Sequence, residues 1–127
     1  MDIGRNNVRF GWIWLLFFVI LGFYLETRVA DPTWKGMQKE LWAAAHVHGN
    51  LLSVINIIYG LTIDGINLDT RLKRTGSWFL ILGTILFASG LFLMPFLMAL
   101  GILVMIGAVA IIIALSIMAC GQLFLKS

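Results

Sequence analysis

The sequence predicts an all-α fold, a transmembrane four-helix bundle with both termini on the inner side. Three observations carry that reading. Hydrophobic residues make up 61% of the 127-residue chain and charged residues 12%, with a mean hydropathy of +0.98, whereas a soluble domain is about a quarter charged. The apolar stretches are each long enough to cross ~30 Å of hydrocarbon, which takes roughly 20 helical residues. The basic residues also sort by side: Arg5, Arg9, Arg71, Lys73, Arg74 and Lys126 share one side of the expected membrane, and Arg28, Lys35 and Lys39 the other. The positive-inside rule then sets N-in and C-in. A single integral domain over residues 1–127, multi-pass in a bacterial inner membrane, is the expectation.

The first helix is expected over about residues 10–25. Its basic start, MDIGRNNVR, is like that of a signal peptide, but no small-residue cleavage site follows, so the helix is read as retained. Trp12 and Trp14 would lie at the inner interface and Tyr24 at the outer. The linker ETRVADPTWKGMQKE places Asp31 before Pro32, an N-cap and first-turn pair for a short surface helix. Gly36 would interrupt that helix, and Trp34 would rest among the headgroups.

The second helix is LWAAAHVHGNLLSVINIIYGLTI, residues 41–63, with Gly65 as a left-handed cap after Asp64. The connector DGINLDTRLKRTGS is polar and basic, hence inside. Ser77 is the expected N-cap of a third helix over residues 77–94, with Trp78 at the interface. From Thr75 to Leu125 the only ionisable residue is Cys120, a length of about two spans. The chain must therefore turn back, and Pro95 marks the corner. The fourth helix follows over residues 97–124. Gly107, Ala110, Ala114 and Gly121 share one side of it, and Gly83 and Gly90 recur in the third. Such strips let backbones approach closely in lipid, here between helices three and four or with another subunit. The four spans show no internal repeat.

The second helix carries the candidate site. At about 100° per residue, Lys39, Trp42, His46, Asn50, Ser53 and Gly60 fall along one side, with Gly49 and Asn56 at its edge and His48 almost opposite. Residues i and i+2 of a helix do not face each other, so the HVH triplet is no chelate. Polar groups at membrane depth need partners. One reading is that Asn50, Ser53 and Asn56 bond to neighbouring helices. The other is a small site near the outer leaflet: Lys39 the cation, Trp42 a flat apolar surface, His46 and Asn50 the donors and acceptors. That set suits a quinone-like headgroup, a tetrapyrrole edge or a lipid head.

The segment AHVHGNLLSVINIIYG resembles the histidine-bearing helix of heme–copper oxidase and nitric oxide reductase catalytic subunits, and of small proteins similar to them. The resemblance implies that His46 or His48 serves as a single axial ligand, to heme or to a chlorophyll-type tetrapyrrole. Gly49 would give room for the macrocycle. The other helices hold no histidine, so a catalytic oxidase is excluded, and a bis-histidine heme would need a second chain. A second, looser resemblance is to the four-span family that includes YgdD. It rests on LGTILFASGLFL in helix three and a histidine early in helix two; that family's Gly-Ala-His pattern in helix one is missing here.

Other chemistry finds little footing. The chain has no G-x-S-x-G, Walker loop, H-E-x-x-H or paired intramembrane carboxylates. Glu26, Asp31 and Glu40 read as solvated outer charges, and Asp64 and Asp69 as complements of Arg71, Lys73 and Arg74. Cys120, the single cysteine, excludes an internal disulfide and reads as small, buried and inert. The scattered basic residues offer no nucleic-acid surface. The expected function is that of a small accessory or structural subunit of a larger membrane complex, in electron transfer or photosynthesis, with other membrane subunits or further copies as partners. A homo-oligomeric carrier or pore for a small solute ranks second, and a membrane enzyme third.

Overall fold

In a computed structural model, which describes residues 2–124, four long helices follow one another: α1 (Arg5–Arg28), α2 (Met37–Ile63), α3 (Thr70–Leu93) and α4 (Gly101–Phe124), the last preceded by a 3₁₀ turn at Met98–Leu100. All four are long and apolar enough to cross a membrane. Lys126, counted in the charge asymmetry, lies outside the described residues.

The helices overrun their apolar stretches at several ends. A 24-residue helix is about 36 Å long, more than the ~30 Å of hydrocarbon, so α1 carries Arg5, Arg9, Glu26 and Arg28 on its terminal turns. Helix α3 starts seven residues before Ser77, at Thr70. Its N-cap is Asp69, whose carboxylate accepts from the Arg71 N–H at 3.0 Å. Helix α4 starts four residues later than expected. The chain does reverse around Pro95, yet Met94 keeps a helical conformation and the break falls at extended Leu97 (φ −152°, ψ 104°).

The α1–α2 linker forms no helix at Asp31. Its carboxylate folds back instead onto Thr33, accepting from the backbone N–H at 2.9 Å and the hydroxyl at 2.6 Å, an Asx-type turn. Arg28 joins it at 3.1 Å. The hydroxyl and N–H of Thr33, then Arg28, hold the Asp31 carboxyl below the usual carboxylate range. Trp34 is 8% exposed and belongs to the apolar cluster that holds Leu21, Leu25 and Leu91. Gly36, at φ 78°, lets the chain swing into α2. At the other end of α2, Gly65 is no left-handed cap: among the described residues Gly36 alone has positive φ.

Helices α1 and α2 pack tightly, as do α3 and α4; α2 joins the pairs through α3, and α1 meets α3 only lightly. Glycines set the tightest contacts. A Cβ at Gly4 would strike the carbonyl of Gly60, and one at Gly83 would lie 2.9 Å from the carbonyl of Gly107. The predicted strips are thus used within the chain, but unevenly. Ala114 is fully buried and Ala110 half-buried, whereas Gly121 abuts Ile66 and Leu68 of the connector, not α3. The far side of α4 is bare, with Ile102, Met105 and Ile112 about 60% exposed. Cys120 lies on that exposed surface rather than buried.

Candidate functional site

The seam predicted on α2 divides between two neighbours. Trp42 turns to α3, stacking on Phe92 at 4.6 Å and donating its indole N–H to the Phe92 carbonyl at 3.0 Å. Lys39 lies 5.8 Å from the ring of Trp34, a cation–π contact at the outer end. Neither joins His46. The four-residue site of Lys39, Trp42, His46 and Asn50 is therefore not assembled.

His46 faces α1. Its Nδ1 lies 2.8 Å from the carbonyl of Phe18, so that nitrogen carries the proton and donates. The Asn50 side-chain N–H₂ lies 3.4 Å from the remaining Nε2. The ring rests on Gly22, where any Cβ would run into it. Gly49 offers no room for a macrocycle, because the Phe18 ring fills the space a side chain would take. His46 is thus a clamp between α1 and α2, and its cradle does not fit a tetrapyrrole.

His48 points away, as the helical wheel requires. It is exposed, its Nδ1 lies 2.9 Å from the Ala44 carbonyl one turn back, and its ring sits 5.3 Å from Phe87 of α3. The carbonyl fixes the proton on Nδ1 and leaves Nε2 with its lone pair outward, the arrangement in which an imidazole ligates a metal.

The most connected polar group was not legible on α2 alone. Asn7 of α1 donates to Asn56 Oδ1 at 3.0 Å and to the Ser77 carbonyl at 3.2 Å. The Ser77 hydroxyl donates to Asn7 Oδ1. Asn56 in turn donates to Thr84 Oγ1 at 2.9 Å and to the Leu52 carbonyl at 2.9 Å. Asn7, Asn56 and Thr84 are fully buried and Ser77 is 3% exposed. Ser53, also fully buried, bonds back to the Gly49 carbonyl at 2.6 Å. The sequence reading places Asn7 in the basic start of the chain and Ser77 at a helix cap, not in the core. A signal was present: Asn56 stands seven residues before the end of α2 and Ser77 seven after the start of α3, the same depth of about 10 Å in antiparallel spans.

The connector ties the same end together. The Asp64 carboxylate accepts from the N–H groups of Ile3 and Gly4 at 3.1 and 3.0 Å, and Lys73 Nζ donates to the Asp64 carbonyl at 3.0 Å. Asp64 therefore serves the start of α1. Among the described residues three buried donors lack a partner, the indole N–H of Trp14, the Nε–H of Arg28 and the hydroxyl of Tyr59, and Asn50 Oδ1 is an acceptor in the same position. Trp14 lines the cleft between α1 and α3, about 310 Å³ in volume. Among the described residues no three His, Cys, Asp or Glu side chains gather as a metal site.

Fold and side chains together describe an all-helical protein with four helices long and apolar enough to cross a membrane, with Asn7, Ser53, Asn56, Ser77 and Thr84 buried among them. No protein-family model, curated protein or solved structure matches the chain.

Proposed function

We propose that the chain is a small accessory or structural subunit of a larger membrane complex, standing N-in and C-in. The observation behind this reading is how the polar groups are spent: those of α1, α2 and α3 bond to one another around Asn56, while the broad outer face of α4 stays apolar. A protein built this way meets its surroundings through packing. The same burial of Ser53 and Asn56 inside one chain weighs against a pore lined by α2. The N-in orientation is supported by Asp64, which ties the start of α1 to the same end of the bundle as Arg71, Lys73 and Arg74 on the first turns of α3. Isolation from its native membrane in mild detergent is the test. A partner co-migrating in fixed ratio is expected; migration as a single chain through several mild detergents would overturn the reading.

The electron-transfer form of this reading needs a tetrapyrrole on a histidine. His48 suits that role better than His46, because its Nε2 faces outward while His46 is wedged against Gly22. The expected sign is a Soret or chlorophyll band in the purified complex that His48→Ala abolishes and His46→Ala leaves in place. A colourless complex from native membrane rules this form out without touching the subunit reading.

A further inference from the structure

Helices α1 and α3, in light contact, leave between them a cleft of about 310 Å³ lined by Trp14, Phe17, Phe18, Ser89, Phe92 and Leu93 among others. The volume stands at the lower end of the ~300–1,000 Å³ usual for small-molecule sites. Phe17 and Leu93 are 52% and 39% exposed, so the cleft opens sideways to the bilayer rather than to water. Its walls are aromatic, and its polar groups are few. One is the Trp14 indole N–H, buried and without an acceptor among the described residues. Buried indole N–H groups usually find a partner, as Trp42 does on Phe92. The other is the Ser89 hydroxyl, contributed by α3.

Depth narrows what can bind. Trp14 stands nine residues into the 24-residue α1, about 14 Å along a helix of ~36 Å, and so inside the ~30 Å of hydrocarbon rather than at the interface the sequence predicts. Water is absent there, and phospholipid carbonyls stay at the interface, so the acceptor must belong to a molecule dissolved in the membrane core. From these observations we infer that the α1–α3 cleft binds a flat, lipid-soluble ring bearing carbonyl oxygens, the quinone class. One carbonyl accepts from Trp14 and the other from Ser89, with Phe18 and Phe92 against the ring. The rings of Phe10, Phe18 and Phe17 pack around that of Trp14 at 5.2, 5.6 and 6.0 Å, so the carbonyl reaches the indole by displacing one of them. This site is separate from the α2 seam and does not depend on the subunit reading.

The test uses the full chain in nanodiscs, a photoreactive azido-ubiquinone as probe, and decylubiquinone and tetradecane as competitors. Saturable labelling is expected at residues 13–18 or 88–93, displaced by decylubiquinone and not by tetradecane. Trp14→Phe keeps the ring and removes the donor, and should weaken binding about five- to tenfold. Trp12→Phe, on the exposed side of the same helix, should leave binding unchanged. Labelling spread over all lipid-facing residues, equal labelling of Trp14→Phe, or displacement by tetradecane as strong as by the quinone would each overturn the inference. Circular dichroism and thermal melting of Trp14→Phe confirm that a loss of labelling is not a loss of fold.

Discussion

Asn56 binds three helices at one point, taking a bond from Asn7 and giving one to Thr84. Asn56→Ala would take the donor from Thr84 and leave Asn7 with Ser77 alone, so a loss of about 1–2 kcal/mol is expected in detergent unfolding. Thr62→Ala is the control, because the Thr62 hydroxyl is exposed and bonds chiefly to its own helix; a change within about 0.5 kcal/mol is expected. The His46 clamp is tested by Gly22→Ala. Its new methyl would push the imidazole off the Phe18 carbonyl, at a cost of about 1–3 kcal/mol. In an His46→Ala background most of that cost should vanish, and a double-mutant cycle reads the coupling. That His46 and His48 point to different sides was legible in the sequence, since helical geometry alone dictates it. That α1 would occupy the His46 side was not, because a glycine at position 22 shows its purpose only once a partner ring lies on it.

At the scale of elements, the ends depart most from expectation. Hydropathy marks where the hydrocarbon lies, not where backbone hydrogen bonding stops, so α3 runs through the basic residues Arg71, Lys73 and Arg74 to its cap at Asp69. The Asp31 turn offers a pH test. Its folded-state pKa is lowered, first by the Thr33 hydroxyl, so folding favours the charged carboxylate. The turn's stabilisation is therefore full above the ordinary value of 3.8 and fades as pH falls through the lower folded value. Thr33→Val removes the largest cause, and a carboxyl-carbon NMR titration should then place the Asp31 midpoint closer to 3.8. Gly65 is not the left-handed cap that the sequence predicts. Its φ is not positive and the nearest atom to an added Cβ stands at 3.6 Å, so Gly65→Ala should melt within about 0.5 kcal/mol of the parent.

As a whole molecule the chain joins two tight pairs, α1–α2 and α3–α4, through α2 on α3, and α4, the outermost helix, holds chiefly to α3. Gly107 sits at that contact, where an added Cβ would come 2.5 Å from the backbone nitrogen of Phe87. Gly107→Leu should therefore loosen α4 alone. Hydrogen exchange in nanodiscs is expected to speed up at residues 98–124, while the amides around Asn7 and Asn56 keep their protection; equal loss in all four helices would contradict the separation of core and outer helix. The sequence by itself determined the class of fold and the four spans, because the length of apolar runs and the cost of burying backbone polar groups in hydrocarbon leave few alternatives. It also determined that α2 would hide a polar edge. Only the tertiary structure decided which residues meet that edge, because Asn7, Ser77 and Thr84 lie on other helices, and contact between helices depends on their rotation and depth, which no single helix encodes.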